Sequence, residues 1–418
     1  DYNSPNIPRD EVSVIRDFIM KELTEAAAIL PEKYAGGYPN EKGRITKYAC
    51  LSLKARAALY FGDYALAEST AKEVMDKGGF SLFKISSLSD AQKKEAEEMS
   101  LYIDFAEKGI DKDEFVKGMF NYEALWHTEN ANPDNPEYIM TRQYAASSWD
   151  YQDMTRYTSM RPNQLGGWSS VTPTQNLVDA YWGVDGHSVP QLPTPEERAK
   201  AYNQIKADLD AYQKPEGEAK FIAFCQEKIK NGTLKDYKYI QEFRNRDSRM
   251  YVSILMPFKS WYESNYGDKF VYEWIKNGNN ESKTGFNFRK MLSLENDANG
   301  DGQATGDYPC IRYAEILLIY AEAHTQTTGY DAATEAALNQ LRDRCGMPDV
   351  PSGLSKEEGL KLIQNERRIE LAGEGFRGDD MTRYSDDYWK EHMNNVPIMT
   401  PDGDTELTMK WSSRMRLK

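Results

Sequence analysis

The stretch Asn365–Tyr384, NERRIELAGEGFRGDDMTRY, sets four arginines and five acidic residues among Ile369, Leu371, Ala372 and Phe376, apolar side chains at helical spacing. A solvated helix face has no use for such a stripe, and a plain apolar core has no room for so many charges. An active site, a nucleic-acid patch and a structural ion network are the three candidate readings. In a helix, Glu366, Glu370 and Glu374 recur on one face, where three carboxylates repel each other unless cations reach them from elsewhere. Arg312 in IRYAEILL and Arg342 or Arg344 in LNQLRDRCG are the expected partners, since the planar guanidinium grips a carboxylate through two bonds. A carboxylate held that way stays ionised and is useless as a general acid. The spacing therefore predicts architecture, and no residue of the stretch is assigned a catalytic role.

Bulk composition narrows the rest. A net charge of −14 over 418 residues argues against nucleic acid, whose partners cluster positive charge. No run of 18 apolar residues is present to span a bilayer. Cys50, Cys225, Cys310 and Cys345 stand singly, without the paired spacing of a zinc site. They read as buried thiols, with a disulfide possible in an oxidising compartment. His127, His187, His324 and His392 are scattered and suggest no catalytic triad. Aromatic residues reach 12%, with 27 tyrosines and 8 tryptophans, which hints at surfaces that touch a ligand.

Outward from the opening stretch, Ser355 and Glu358 form a capping box for the helix that contains it. Upstream, IRYAEILLIYAEAHTQ is apolar enough to be buried on several sides, and DAATEAALNQLRDRCGMP is closed by Gly346 and Pro348. At the other end of the chain, Asp10 is the expected cap of a helix to Leu30, with a stripe through Val12, Ile15, Phe18, Leu23, Ala26 and Leu30. Thr46 caps a second helix, and after Gly62-Asp63 comes a third whose Ala67, Ala71 and Val74 resemble the second helix of a tetratricopeptide repeat. Between these helical ends, roughly 120–307, loops crowded with Trp, Tyr, Asn and Gly alternate with β-prone runs such as MYVSILM and EALWH.

Six motifs then occur in order: VTPTQNLVDAYWGVDGHSV (171–189), FRNRDSRMYVSIL (243–255), TGFNFRKML (284–292), IRYAEILLIYAEA (311–323), LNQLRDRCGMP (338–348) and ERRIELAGEGFRGDDMTRY (366–384). Together they closely resemble the SusD/RagB family of Bacteroidetes nutrient-binding outer-membrane lipoproteins, over essentially the whole chain. The resemblance implies a mostly α, SusD-like fold in one domain, 1–418. Helix pairs of tetratricopeptide type, 1–80 and 308–384, pack against an irregular ligand-binding half, 120–307, with short β-strands. It also implies a non-catalytic cell-surface carrier whose partner is a SusC-like TonB-dependent transporter, held to the outer membrane by a lipid anchor absent from this chain. Family members carry a lipobox and further helical sequence ahead of a helix like the first one here, so an N-terminal part is expected to be missing.

The candidate ligand contacts lie in the aromatic loops. Trp168 sits on the Gly-flanked QLGGWSS, with Trp149, Tyr151 and Tyr157 in the preceding loop and Arg161 and Asn163 as hydrogen-bonding neighbours. Trp261, Tyr262 and Trp274 form a second aromatic group, which would otherwise be satellite core. Flat rings beside amide and guanidinium donors suit the apolar faces and hydroxylated rims of sugars. An oligosaccharide or polysaccharide is the expected ligand; a peptide cargo, a glycoside hydrolase and a protein-binding repeat scaffold are the alternatives. No cofactor is expected. DANGDGQATGD (297–307) does imitate a calcium loop, with Asp297, Asn299, Asp301 and Gly302 in place, but Tyr308 stands where a bidentate acid belongs.

Overall fold

The computed structural model describes residues 10–34, 43–144, 157–158, 166–213, 218–261, 270–292 and 305–409. It is mostly α-helical. The first group of helices is α1 (Val12–Ile29), α2 (Lys47–Tyr60), α3 (Tyr64–Lys77), α4 (Asp90–Glu98), α5 (Phe105–Lys108) and α6 (Lys112–Ala124). The middle of the chain carries α7 (Gln175–Ala180), α8 (Pro195–Asp210), α9 (Glu218–Lys230), α10 (Lys238–Gln241) and α11 (Ser248–Ser253). The last group is α12 (Tyr313–Thr327), α13 (Ala332–Arg344), α14 (Lys356–Glu370), α15 (Arg377–Arg383) and α16 (Asp386–Met393). Among the described residues, strands pair only as antiparallel ribbons. These are β1 (Tyr138–Arg142) with β6 (Tyr308–Arg312), β2 (Ile254–Leu255) with β5 (Asn287–Phe288), β3 (Ser260–Trp261) with β4 (Phe270–Val271), and β7 (Val396–Ile398) with β8 (Leu407–Met409).

One core is aliphatic and joins the two ends of the chain. Thr46 caps α2 through the Ala49 amide, and Asp63 caps α3 through the Leu66 amide after the left-handed turn at Gly62. Ala55, Ala58, Ala67 and Ala71 are fully buried, and side chains this small let the α2 and α3 backbones approach closely. Helix α12 touches α2, α3, α13 and α14, so every residue from Tyr313 to Ala323 is buried, as its all-round apolar sequence predicts.

Two expectations about the helical ends need correction. Helix α1 starts from Glu11, not Asp10, and makes no side-chain cap. Its stripe is buried only in part: Leu23, Ala26 and Leu30 pack against the core while Val12, Ile15 and Phe18 lie in solvent. The opening stretch is also not one helix. Helix α14 ends at Glu370, and Gly373 (φ +79°) and Gly375 (φ +90°) turn the chain into α15. Glu374 therefore joins Glu366 and Glu370 from beyond a turn.

The second core, built mainly from residues 99–292, is aromatic. Tyr202 meets Tyr239 at 5.1 Å, Trp274 at 5.9 Å and Phe258 at 6.2 Å between ring centroids. Much of the surplus Tyr and Trp thus points inward. This middle region is also more helical than expected. EALWH begins in the last turn of α6, and MYVSILM divides between α11 and β2 because only Ile254 and Leu255 find a partner strand. All four cysteines are free thiols, Cys310 half-buried and the others buried.

Candidate functional site

Beneath α14, five carboxylates (Glu137, Asp247, Glu366, Glu370 and Glu374) meet five cations (Arg249, Lys290, Arg312, Arg342 and Arg344), nearly all sealed from solvent. Arg312 Nη1 reaches Glu137 Oε1 at 2.7 Å and Glu370 Oε1 at 2.8 Å, while its Nε donates to Glu374 Oε2 at 2.7 Å. Arg249 binds Asp247 at 2.7 Å, Glu366 at 2.8 Å and Glu370 at 3.0 Å. Arg342 holds Glu366 Oε2 at 2.7 Å, and Arg344 spans Glu137 and Glu370. Lys290 donates to Glu374 at 2.7 Å, and burial pushes its ammonium down to about 8 despite that partner.

Burial alone would raise the Glu366 carboxyl, but the Arg249 and Arg342 charges outweigh it and hold the group down at about 2. Glu370 and Glu374 are held below the ordinary carboxylate range in the same way, by Arg344 and Arg312 among others. None of these three can hold a proton near neutral pH. The stretch is an ion network.

The network also mounts the surface above it. Trp182 Nε1 donates to Glu366 at 3.2 Å, and Arg342 Nη1 donates to the Gly186 carbonyl at 2.8 Å. Helix α7, at six residues, is too short to be stable alone. Arg246 donates to the Val178 and Tyr181 carbonyls at 2.8 Å each, and Asn365 closes the Ala180 carbonyl at 2.8 Å. Arg368 holds Asn176, and Thr284 Oγ1 donates to the Pro173 carbonyl at 2.6 Å just ahead of the helix.

Directly upstream stand Tyr157 and Trp168. Their rings meet edge-to-face at 5.4 Å and 83°, and each side chain keeps much of its surface in solvent, with Tyr157 at 38% and Trp168 at 41% exposure. The Ser170 and Val171 amides both donate to the Tyr157 carbonyl. The turn passes through left-handed φ at Gly166 (+76°) and Ser169 (+46°), the second uncommon for a residue with a side chain. Two exposed rings on a fixed mount can stack on a flat apolar face.

The other expected contacts fare differently. Trp261 is fully buried under the Arg289 guanidinium, 4.8 Å from its ring, and Trp274 is 5% exposed with Nε1 donating to the Ser282 carbonyl at 2.9 Å. Both belong to the aromatic core and offer no face to a ligand. Trp261 lies in a two-residue strand, too short to show in sequence which side faces inward, and Trp274 lies outside any strand. Trp149, Tyr151, Arg161, Asn163 and Tyr262 lie outside the described residues, as do Asp297, Asn299, Asp301 and Gly302. Among the described residues no group of three or more His, Cys, Asp or Glu side chains is placed to hold a metal ion.

A further feature was not foreseen. A cleft of about 940 Å³ opens between α8 and the segment 228–242, lined by Leu192, Lys200, Lys228, Tyr237 and the Arg198–Glu242 pair. Gln175 of α7 donates to Glu242 at 3.1 Å, which ties this cleft to the aromatic mount. Its charged lining reads in sequence as ordinary solvated helix faces, so only the fold reveals it.

The SusD family model matches residues 136–415, a span containing the ion network, α7 and the Trp168 loop. The chain belongs to the SusD family. A SusD-like protein of Bacteroides fragilis has a similar solved structure, with a TM-score of 0.67 at 24% identity over 98% of this chain and 68% of that one. A second from Bacteroides fragilis, described as a SusD-like carbohydrate-binding protein, matches at TM-score 0.65 and 21% identity, over 99% and 67%. A structure solved with a xylogluco-oligosaccharide matches at TM-score 0.52 and 15% identity, over 92% and 61%. These identities establish a shared fold. In sequence, the SusD-like protein P2 of Formosa agariphila is 33% identical over 92 residues, which is 20% of this chain and 18% of that protein. No helix of this SusD-family chain, among the described residues, is long and apolar enough to cross a membrane.

Proposed function

We propose that this SusD-family protein is a non-catalytic carrier that captures a glycan at the cell surface and passes it to a SusC-like TonB-dependent transporter, with a lipid anchor holding it at the outer membrane. The observation that carries the reading is the exposed Tyr157–Trp168 pair on a mount fixed by α7 and α14. Pyranose faces are apolar and their rims hydroxylated, so a ring pair beside polar backbone is a fitting receptor. Further support comes from the carbohydrate-binding description of one SusD-like relative and the oligosaccharide held by another. A glycosidase needs one carboxyl that carries a proton at working pH, and the ion network supplies none, because Glu366, Glu370 and Glu374 are all held ionised.

The cleft beside α8 favours a second reading, a peptide carrier, because its lining carries both signs of charge. Calorimetry against a panel of neutral oligosaccharides and a mixed peptide pool, with product analysis of each mixture, separates the possibilities. Heat from one sugar class without new reducing ends is the expected result. Heat from peptides alone would replace the cargo, and new reducing ends would overturn the carrier reading.

A further inference from the structure

His324, in the last turn of α12, is set between two carboxylates from two other elements. Its Nδ1 lies 2.7 Å from Glu68 Oε1 on α3, and its Nε2 lies 3.1 and 3.2 Å from the two carboxylate oxygens of Asp331. Asp331 caps α13, its Oδ1 also accepting from the Ala333 amide at 2.9 Å and the Thr334 amide at 3.3 Å. Glu68 is fixed through its other oxygen by Thr327 Oγ1 at 2.6 Å. The His324 side chain is only 12% exposed and stacks on Tyr320, centroids 5.5 Å apart and planes 20° apart. Its neighbours on α3, α12 and α13 thus clamp the ring in one orientation.

That orientation decides how many protons the ring carries. A neutral imidazole has one N–H and one bare lone pair, and an ionised carboxylate can only accept. With one proton the ring would turn its lone pair on Glu68 or on Asp331; with two, both contacts are charge-assisted hydrogen bonds. Burial opposes the charge on His324, but the bonds to Glu68 and Asp331 outweigh it and lift the group above its ordinary value. Asp331 is lowered in return by its bond to His324, and Glu68, against its own burial, by Thr327 and His324. Other charges on the packed helices have partners of their own. Lys72 of α3, 6.0 Å from the Tyr320 ring centre, pairs with Asp76, and Lys356 of α14 donates to the Gln326 carbonyl at 2.6 Å. Glu322 of α12 pairs with Arg383 of α15, and Arg56 of α2 with Glu315 at the other end of α12. Glu335 stands in the first turn of α13.

We propose that His324 is a pH-sensitive clasp, an imidazolium that ties Glu68 of α3 to Asp331 at the start of α13 and releases one of them when it loses its second proton. The stability it contributes is whole below the ordinary histidine value of 6.5 and is lost as pH rises through the raised value in the fold. It fails again only in acid, where Glu68 and Asp331, both lowered, take up protons. The scaffold is therefore held most firmly in a mildly acidic medium and loosens toward alkaline pH. The clasp is independent of the ligand reading, since none of its residues belongs to the ring pair or lines the cleft beside α8.

The test is an NMR titration of the histidine rings in the whole chain, read beside urea unfolding at pH 6 and pH 9. His324→Gln, which cannot titrate, identifies the His324 signal among the four histidines, and Asp331→Asn removes one charge while keeping a good helix cap. His324 in the wild type should titrate above 6.5, with both ring nitrogens protonated below its midpoint. Asp331→Asn should weaken its proton affinity about threefold or more. Between pH 6 and pH 9 the wild type should lose more stability than His324→Gln does. The wild-type and Asp331→Asn titrations decide the question even where His324→Gln fails to fold, since only His324, among the described residues, is the histidine bonded to Asp331. A His324 midpoint at or below 6.5, a midpoint unmoved in Asp331→Asn, or an equal loss of stability in His324→Gln would each overturn the clasp.

Discussion

Beneath α14, ten charged side chains are withdrawn from water and paired with one another; at Tyr157 and Trp168, two aromatic rings stand in it. The first region carries the densest charge in the chain and holds the fold. The second carries almost none and is the better candidate for contact with a ligand. Charge density is thus a poor guide to function when every charge has its partner, and an exposed ring on a rigid mount is a better one.

The comparison breaks most readily at its buried side. Arg312→Met leaves Glu137, Glu370 and Glu374 short of their shared cation, and stability to urea should fall by about 3–5 kcal/mol. A loss below about 1 kcal/mol would mean the network is dispensable. Acid attacks the same region. Glu366 sits at about 2 in the fold against an ordinary 4.5, so its stabilisation is complete above about pH 5 and is lost as pH falls from there toward 2. Unfolding midpoints across pH 2–7 should decline over that window; a flat profile would contradict it.

Effects should shrink toward the surface. Trp274→Phe removes the bond to the Ser282 carbonyl within the aromatic core and should cost about 1–3 kcal/mol, with ligand affinity unchanged. Asn365→Ala frees the Ala180 carbonyl at the end of α7 and should cost about 1 kcal/mol. Hydrogen exchange should show the loosening concentrated in residues 175–182. Uniform loosening would mean that α7 is not held locally.

The scaffold was largely legible in the sequence. Ser355 and Glu358 form the expected capping box, and Thr46 caps as read. Arg312 and both of Arg342 and Arg344 reach the glutamates of the opening stretch. Arg249, Lys290 and Glu137 were not foreseen, because pairs separated by 80 or more residues leave no periodic trace. The break between α14 and α15 was there to be read in AGEG, where two glycines stand two apart. For the site, Trp168 on its glycine-flanked turn was legible as exposed, whereas Trp261 and Trp274 looked alike and are core. A two-residue strand has too little alternation to tell inside from outside.

The smallest expected change in stability accompanies the largest in binding. Trp168→Ala should leave the urea midpoint nearly unchanged, since its ring is 41% exposed and meets Tyr157 edge-on at the surface. The most direct measurement is the affinity of that variant, by calorimetry, for whichever oligosaccharide the wild type binds. A loss of about tenfold or more at unchanged stability, about 1.4 kcal/mol of binding free energy, is the predicted result. Wild-type affinity in Trp168→Ala would contradict the central claim and move the ligand to another surface.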